Sequence, residues 1–373
     1  MTSAPPTGAP DRPWIPRFWY GMGCGAWLRV LARYHWAITP ARVPMALGIA
    51  SAGVFNAAMA AVQHARYGRR IAATPLRDDP VIIVGHWRSG TTLMHELLAL
   101  DVRHTFPHTY ACFAPTHFLA SERIVAPWLR RLLPDRRPMD NMPAGLPRPQ
   151  EDEFALCNMG MPSPYLTMLF PNQPPRYDDY LDFVGVAEAP RKAWLEQLLH
   201  FYRGVCLARP GRLVLKSPLH TARLQLLLRV FPKARIVHMV RQPHEMCAST
   251  LALWRRLYHD QALQQPDYKG LLAAVLQTHG RMYRAFNAAT AMMPPGQCCD
   301  VRYEELRRDP LRAVQRVYDV LELGAFDKVQ PALERYWQTA QHHQRNAFAL
   351  DAAARAQVDH AWAWYFEKYG YAT

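Results

Sequence analysis

Val81-Ile82-Ile83-Val84-Gly85-His86-Trp87-Arg88-Ser89-Gly90-Thr91-Thr92, followed by Leu93, Leu97 and Leu100 at helical spacing, is the stretch that decides how the chain folds. Four β-branched residues in a row predict a strand buried on both faces of a parallel sheet, because a strand with one wet face would alternate. A Gly-bounded loop and an apolar helix after it complete a strand–loop–helix unit. Gly85 to Gly90 has the G-x-x-x-x-G frame of a phosphate-binding loop, whose backbone N–H groups and following helix N-terminus cradle an anion. The lysine of a nucleoside-triphosphate loop is missing, since Thr91 holds its place, and Arg88 is the loop's one cation.

The same pattern recurs downstream. Arg212 to Lys216 predicts a strand, with an amphipathic helix from Leu224 to Phe231; Arg235 to Val240 predicts the next, with a helix from about Pro243 to Tyr258. Strands alternating with helices give an α/β fold in which helices flank a parallel sheet. Cys298 to Arg302 reads as one more strand in a largely helical C-terminal third. Two regions stand apart. Residues 1–77 form a helical, aromatic and arginine-rich lead (Trp14, Phe18, Trp19, Tyr20, Trp27, Arg29, Arg33, Arg42), and residues 78–373 form the main domain. Within the latter, residues 101–190 are Pro-rich and expected to be mostly irregular, an insertion of the kind that builds binding surfaces.

A second group of residues points to chemistry. Arg241 leaves the C-terminal end of a strand and Ser249 follows eight residues later on the next helix, so both reach the crevice where ligands bind in open α/β sheets. Paired with the loop, they imply a nucleotide with two separate phosphate groups. The strand ends in Arg241 where a triphosphatase tends to place a magnesium-holding Asp, so the site is read as holding phosphate without a metal. Lys216, at the exit of a neighbouring strand, is a second cation; the alternative is a surface lysine lying along apolar neighbours.

Three side chains are candidates for general base: His220, four residues after Lys216, and Glu151 and Glu153, which with Asp152 form an acidic cluster at a helix start. The cluster is read equally well as helix capping, and His220 as packing. His104 and His108 are weaker candidates. Asp309 and Pro310 are expected to cap and open a helix. The run Gln341-His342-His343-Gln344-Arg345-Asn346 is read as a solvated loop rather than a metal site.

Taken together, these segments resemble the sulfotransferases. H-W-R-S-G-T-T with L-M-H-E-L-L is similar to their 5′-phosphosulfate loop, and R-Q-P-H-E-M-C-A-S to their 3′-phosphate site. V-L-K-S-P-L-H, F-P-K-A-R-I-V-H-M-V-R and V-R-Y-E-E-L-R-R-D-P extend the likeness over roughly residues 78–323. It is strongest to the bacterial R-S-G-T-T type, which is also similar to tyrosylprotein sulfotransferases. The resemblance implies a fold related to nucleotide kinases, 3′-phosphoadenosine 5′-phosphosulfate as co-substrate and no metal. It also implies that Arg88, Ser89, Gly90, Thr91 and Thr92 hold the 5′ side of the donor, and Arg241 and Ser249 the 3′-phosphate. Soluble sterol and phenol sulfotransferases carry Lys where this loop has Arg88. In related enzymes a Glu downstream of the first helix acts as base, but H-T-F-P-H-T-Y-A-C-F contains no carboxylate here.

Composition bounds the rest. Half of the 373 residues are apolar and 20% are charged, which excludes wholesale disorder, and no internal repeat or low-complexity linker appears. Net charge is +14 and is spread along the chain without an RNA-binding or zinc-finger signature, so anionic partners are expected to be a nucleotide and an anionic membrane surface rather than nucleic acid. Seven cysteines without a C-x-x-C pair, and no signal-peptide pattern, are read as a reduced, cytoplasmic setting, at the inner face of a membrane. From Val43 to Ala65, 23 residues carry no formal charge; Asn56, Gln63 and His64 within them favour an interfacial or buried helix over a span. The apolar lead and insertion point to a hydrophobic or lipid-like alcohol as acceptor. Competing readings are a P-loop nucleotide kinase, disfavoured by Thr91 and Arg241, and a non-catalytic membrane or nucleotide binder.

Overall fold

A computed structural model describes residues 17–131, 145–340 and 348–372. Five strands, β1 (Val81–Val84), β2 (His104–Thr105), β3 (Arg212–Lys216), β4 (Arg235–Val240) and β5 (Cys298–Arg302), form one parallel sheet in the order β2-β3-β1-β4-β5. The unbroken apolar run of β1 finds its explanation in this order. β1 lies between β3 and β4, and its side chains alternate between two cores: Ile82 and Val84 enter the larger, Val81 and Ile83 the smaller. All four are fully buried.

β1, β3, β4 and β5 lie where the sequence places them; the two-residue β2 is too short to leave a pattern. The helix after β3 begins at His220 and ends at Val230, a turn earlier than its apolar spacing suggests, and the helix after β4 runs on to Gln261. Asp309 caps the Pro310–Val320 helix by accepting from Arg312 N–H. The insertion is mostly irregular over its described residues, as expected, and carries short helices, Thr109–Phe113, Phe118–Arg130 and Glu153–Asn158, with 3-10 turns at Pro164–Met168 and Asp178–Leu181. Pro164 opens one of these 3-10 turns and Pro127 lies inside the Phe118–Arg130 helix, so these two prolines do not prevent helix there. Trp14 and the Gln341–Asn346 run lie outside the described residues.

The lead is packed onto the same body. Trp19, Trp27, Tyr34 and Ile49 share the larger core with Ile82 and Leu215. Trp19 Nε1 donates to the Gln261 carbonyl, and Arg42 to the His259 carbonyl. The charge-free stretch is the first part of a 31-residue helix, Val43–Ala73, lying against the Phe118–Arg130 and Glu188–Ala208 helices. Two of its polar residues, Asn56 and Gln63, face inward, whereas Ser51 and His64 are exposed. Asn56 Nδ2 donates to the Tyr20 and Met22 carbonyls, its Oδ1 meets His117 Nε2 at 3.0 Å, and Gln63 Oε1 accepts from Leu119 N–H. The outward face carries Val43, Leu47, Val54, Phe55 and Val62, all exposed. By length and composition this helix is apolar enough to cross a membrane, as a buried core helix also can be.

Candidate active site

The sheet order brings the C-terminal ends of β1, β3 and β4 side by side, and each delivers part of one site. β1 delivers the loop. Gly85 and Gly90 take φ of +139° and +102°, and both are closely hemmed in. A Cβ on Gly85 would stand 2.6 Å from the Met239 carbonyl, and one on Gly90 2.5 Å from the Tyr303 ring. Glycine is therefore the residue that fits at both ends of the turn. Gly90 is also the N-cap of the Thr91–Leu98 helix and has no side chain to cap it, so the first-turn N–H groups are directed to the loop's concave side. Thr221, on the helix after β3, anchors the loop by accepting from Gly85 N–H at 2.8 Å.

β4 delivers Arg241, and the helix after it delivers Ser249. Arg88 Nε donates to Ser249 Oγ at 2.9 Å, Arg241 Nη1 donates to the Arg88 carbonyl at 2.8 Å, and the Arg241 guanidinium lies over the Tyr303 ring. The two phosphate sites read separately from the sequence are thus contiguous, with Arg88 as the shared member. Arg241 is also paired with Glu245 one turn away.

β3 delivers Lys216, which is buried rather than lying along the surface. Its Nζ donates to Glu151 Oε1 at 2.7 Å and stands 3.4 Å from Thr92 Oγ1. A carboxylate from the insertion is thereby held against the donor loop.

The acidic cluster, continuous in sequence, is divided by the fold. Glu151 meets Lys216 and keeps some exposure. Asp152 is fully buried and accepts from His220 Nε2 at 3.0 Å and from the Tyr202 hydroxyl at 2.6 Å. Burial pushes the Asp152 carboxyl up, but the neighbouring His220 charge and these two hydrogen bonds hold it below its ordinary range. Glu153 is fully buried, pairs with Arg223 and accepts from Ser163 Oγ. Arg223 in turn donates to the Tyr180 carbonyl and packs over Trp194. Of the three base candidates, then, Glu151 pairs with Lys216 beside the loop, Glu153 is engaged within the core, and His220 sits beneath with its Nδ1 buried and unpartnered. His104 is tied to the Leu98 carbonyl and His108 to Glu122, neither at this site.

Two residues of the site have no signature in the sequence. Tyr165 donates to Glu151 Oε2 at 2.6 Å, and Thr221 holds the loop's first amide. Both are single side chains brought in by tertiary packing. Among the described residues no cluster of three or more His, Cys, Asp or Glu side chains is arranged to hold a metal ion, and all seven cysteines are free.

Comparison with known proteins agrees with this geometry. A model of the sulfotransferase family matches residues 80–328. The chain is 40% identical over 360 residues to the omega-hydroxy-beta-dihydromenaquinone-9 sulfotransferase Stf3 of Mycobacterium bovis and to that of Mycobacterium tuberculosis, covering 96% of this chain and 92% of each relative. In fold it is similar to the crystal structure of sulfotransferase STF9 from Mycobacterium avium, with a TM-score of 0.70 at 20% identity over 93% of this chain and 96% of that one. It is also similar to sulfotransferase STF1 from Mycobacterium tuberculosis, with a TM-score of 0.63 at 18% identity over 91% and 90% of the two chains.

Proposed function

The chain belongs to the sulfotransferase family, and on that premise we propose that it transfers a sulfuryl group from 3′-phosphoadenosine 5′-phosphosulfate to a hydroxyl of a lipid-like acceptor. The observation that carries the reading is the Lys216–Glu151 pair beside the phosphate loop, a cation and a carboxylate in direct contact next to Thr92. The donor is a polyanionic nucleotide, and the cradle suits it: crowded glycines, uncapped first-turn amides and the contiguous Arg88, Ser249 and Arg241.

In the reaction the acceptor oxygen forms a bond to sulfur as the bond from sulfur to the bridging phosphate oxygen breaks. Charge accumulates on that leaving oxygen, where Lys216 and Arg88 neutralise it without a metal. The acceptor O–H proton passes to Glu151, whose Oε1 is within reach of the same lysine. Asp152 and His220 brace the strand end from below, and Glu153 with Arg223 anchors the insertion.

The acceptor reading rests on two observations. The relatives at 40% identity are named for an omega-hydroxylated dihydromenaquinone, and this chain presents a continuous apolar face on the Val43–Ala73 helix. Exposed Ile124 and Trp128 stand on the helix packed beside it, and Arg66, Arg69 and Arg70 follow its apolar part. An apolar stripe ended by arginines suits an anionic bilayer surface, with the helix lying in the interface on the cytoplasmic side. Asn56 and Gln63 hold its other face to the protein, which supports lying on the bilayer over crossing it.

Donor labelled in its sulfuryl group, incubated with a lipid extract and with an omega-hydroxylated isoprenoid quinol, tests the reading. Label is expected in a lipid-soluble product and is expected to vanish with Glu151→Gln. Label appearing only in water-soluble acceptors would overturn it.

A further inference from the structure

Between the donor loop and the carboxylate lies a run of hydrogen bonds that the reaction as described does not use. Trp87, third residue of the loop, donates from Nε1 to the Tyr165 hydroxyl at 2.9 Å, and that hydroxyl donates to Glu151 Oε2 at 2.6 Å. The direction is fixed by chemistry: an indole N–H only donates, so the phenol accepts from it and spends its single proton on the carboxylate. Burial, reinforced by the charge of Glu151 beside it, pushes the Tyr165 phenol well above 10, so it remains a donor at any working pH. Both rings are fixed. Tyr165 is 1% exposed, its backbone N–H is received by Ser163 Oγ, and Trp254 packs edge-on against both rings. The Trp87 carbonyl accepts from Thr250, the residue after Ser249.

We propose that Tyr165 is the positioning residue for the catalytic carboxylate, holding Glu151 Oε2 so that Oε1 faces Lys216 and the acceptor, with Trp87 setting the phenol's direction from the donor loop. This rests on Glu151 being the base. The carboxylate is gripped at both oxygens by groups of different kind: Oε1 by a mobile-chain ammonium that also serves the leaving group, Oε2 by a rigid phenol that does not. Only the second grip persists when Lys216 turns to the donor. The loop that receives the donor's phosphates and the base that receives the acceptor's proton are in this way parts of one hydrogen-bonded unit.

Tyr165→Phe keeps the ring and removes the donor. At saturating substrates its kcat is expected to fall roughly 10- to 100-fold, the effect of one lost hydrogen bond to a charged group. The acidic limb of its pH–kcat profile is expected to move to higher pH, since the ionised carboxylate loses a stabilising partner. The KM for acceptor and the thermal stabilisation by adenosine 3′,5′-bisphosphate should stay near wild type. Trp87→Phe removes the indole N–H together with part of the ring and should move the same limb in the same direction by less, which decides the matter on a second variant. An unmoved limb with kcat within twofold of wild type in Tyr165→Phe overturns the proposal. If Glu151→Gln keeps its turnover, the assignment of the base fails instead; if Glu151→Gln is inactive while Tyr165→Phe matches wild type, only the positioning role fails.

Discussion

Glu151 and Glu153 stand two residues apart, and replacing each by Gln should produce phenotypes that differ in turnover. Glu153→Gln leaves Arg223 fully buried with its countercharge gone. The Tyr180 carbonyl and the Trp194 face remain as its partners, but neither carries a negative charge. Breaking such a pair typically destabilises by about 3–5 kcal/mol. At roughly 2.1 cal/mol/K per residue of unfolding entropy, 373 residues convert that loss to a Tm drop of roughly 4–6 °C. Replacing both partners together, as Glu153→Leu with Arg223→Met, should recover much of it, because no buried charge is then left alone. Glu151→Gln also leaves the buried Lys216 without its countercharge, so it too should melt lower, but its turnover in the folded protein should fall at least about 100-fold, the contribution of a positioned base. Calorimetry on all three variants, with turnover measured at 20 °C and saturating donor, separates the outcomes. A Glu153→Gln protein with wild-type Tm and crippled turnover would refute the division of labour and return the base to Glu153.

Other outcomes follow from the same geometry. Arg241→Ala and Ser249→Ala should each weaken binding of adenosine 3′,5′-bisphosphate by about tenfold or more while leaving adenosine 5′-phosphate little changed, and excess chelator should leave thermal stabilisation by the bisphosphate intact; equal losses for both nucleotides would speak against a 3′-phosphate role. Burial holds the imidazoles of His86 and His95 down at about 3 and that of His117 at about 4. Below about 6.5 the unfolded chain therefore binds protons that the folded one refuses, so stability falls as pH drops from about 6.5 towards these values, by about 1.4 kcal/mol per pH unit for each histidine. Urea midpoints should show roughly 4 kcal/mol less stability at pH 5.5 than at 7.5, and a flat profile would contradict it. Leu47→Asp with Val54→Asp should abolish cosedimentation with vesicles containing anionic lipid without changing turnover on a detergent-dispersed acceptor, and high salt should weaken wild-type cosedimentation, each arginine near the surface contributing about 1 kcal/mol. Unchanged sedimentation of the double variant would remove the helix from the interface.

The sheet was legible because its signal is local. Val81–Val84 and Arg235–Val240 are short apolar runs bounded by turn residues, and strand identity follows from such runs alone. Arg88, Lys216, Arg241 and Ser249 were legible for a related reason: each stands at a fixed short distance from a strand end, so placing the strand places the residue. The acidic cluster was not. Glu151, Asp152 and Glu153 are equivalent as letters, and only the partners arriving from distant segments, Lys216, His220 and Arg223, set one against the loop and bury the other two as anchors. The short helices inside the insertion left no pattern for the same reason, since they are five to thirteen residues long and owe their stability to packing rather than to periodicity.

The central place of β1 in the sheet has a further consequence for how the protein comes into being. Its two neighbours arrive from residues 212–216 and 235–240, well over a hundred positions later in the chain. While a ribosome is still emitting the insertion, Val81–Val84 is an apolar strand with both edges bare, the kind of segment that pairs with whatever strand it meets first. The loop glycines cannot be locked against Met239 and Tyr303 until those residues too have emerged. Nascent chains halted before about residue 240 should thus be sticky and inert together.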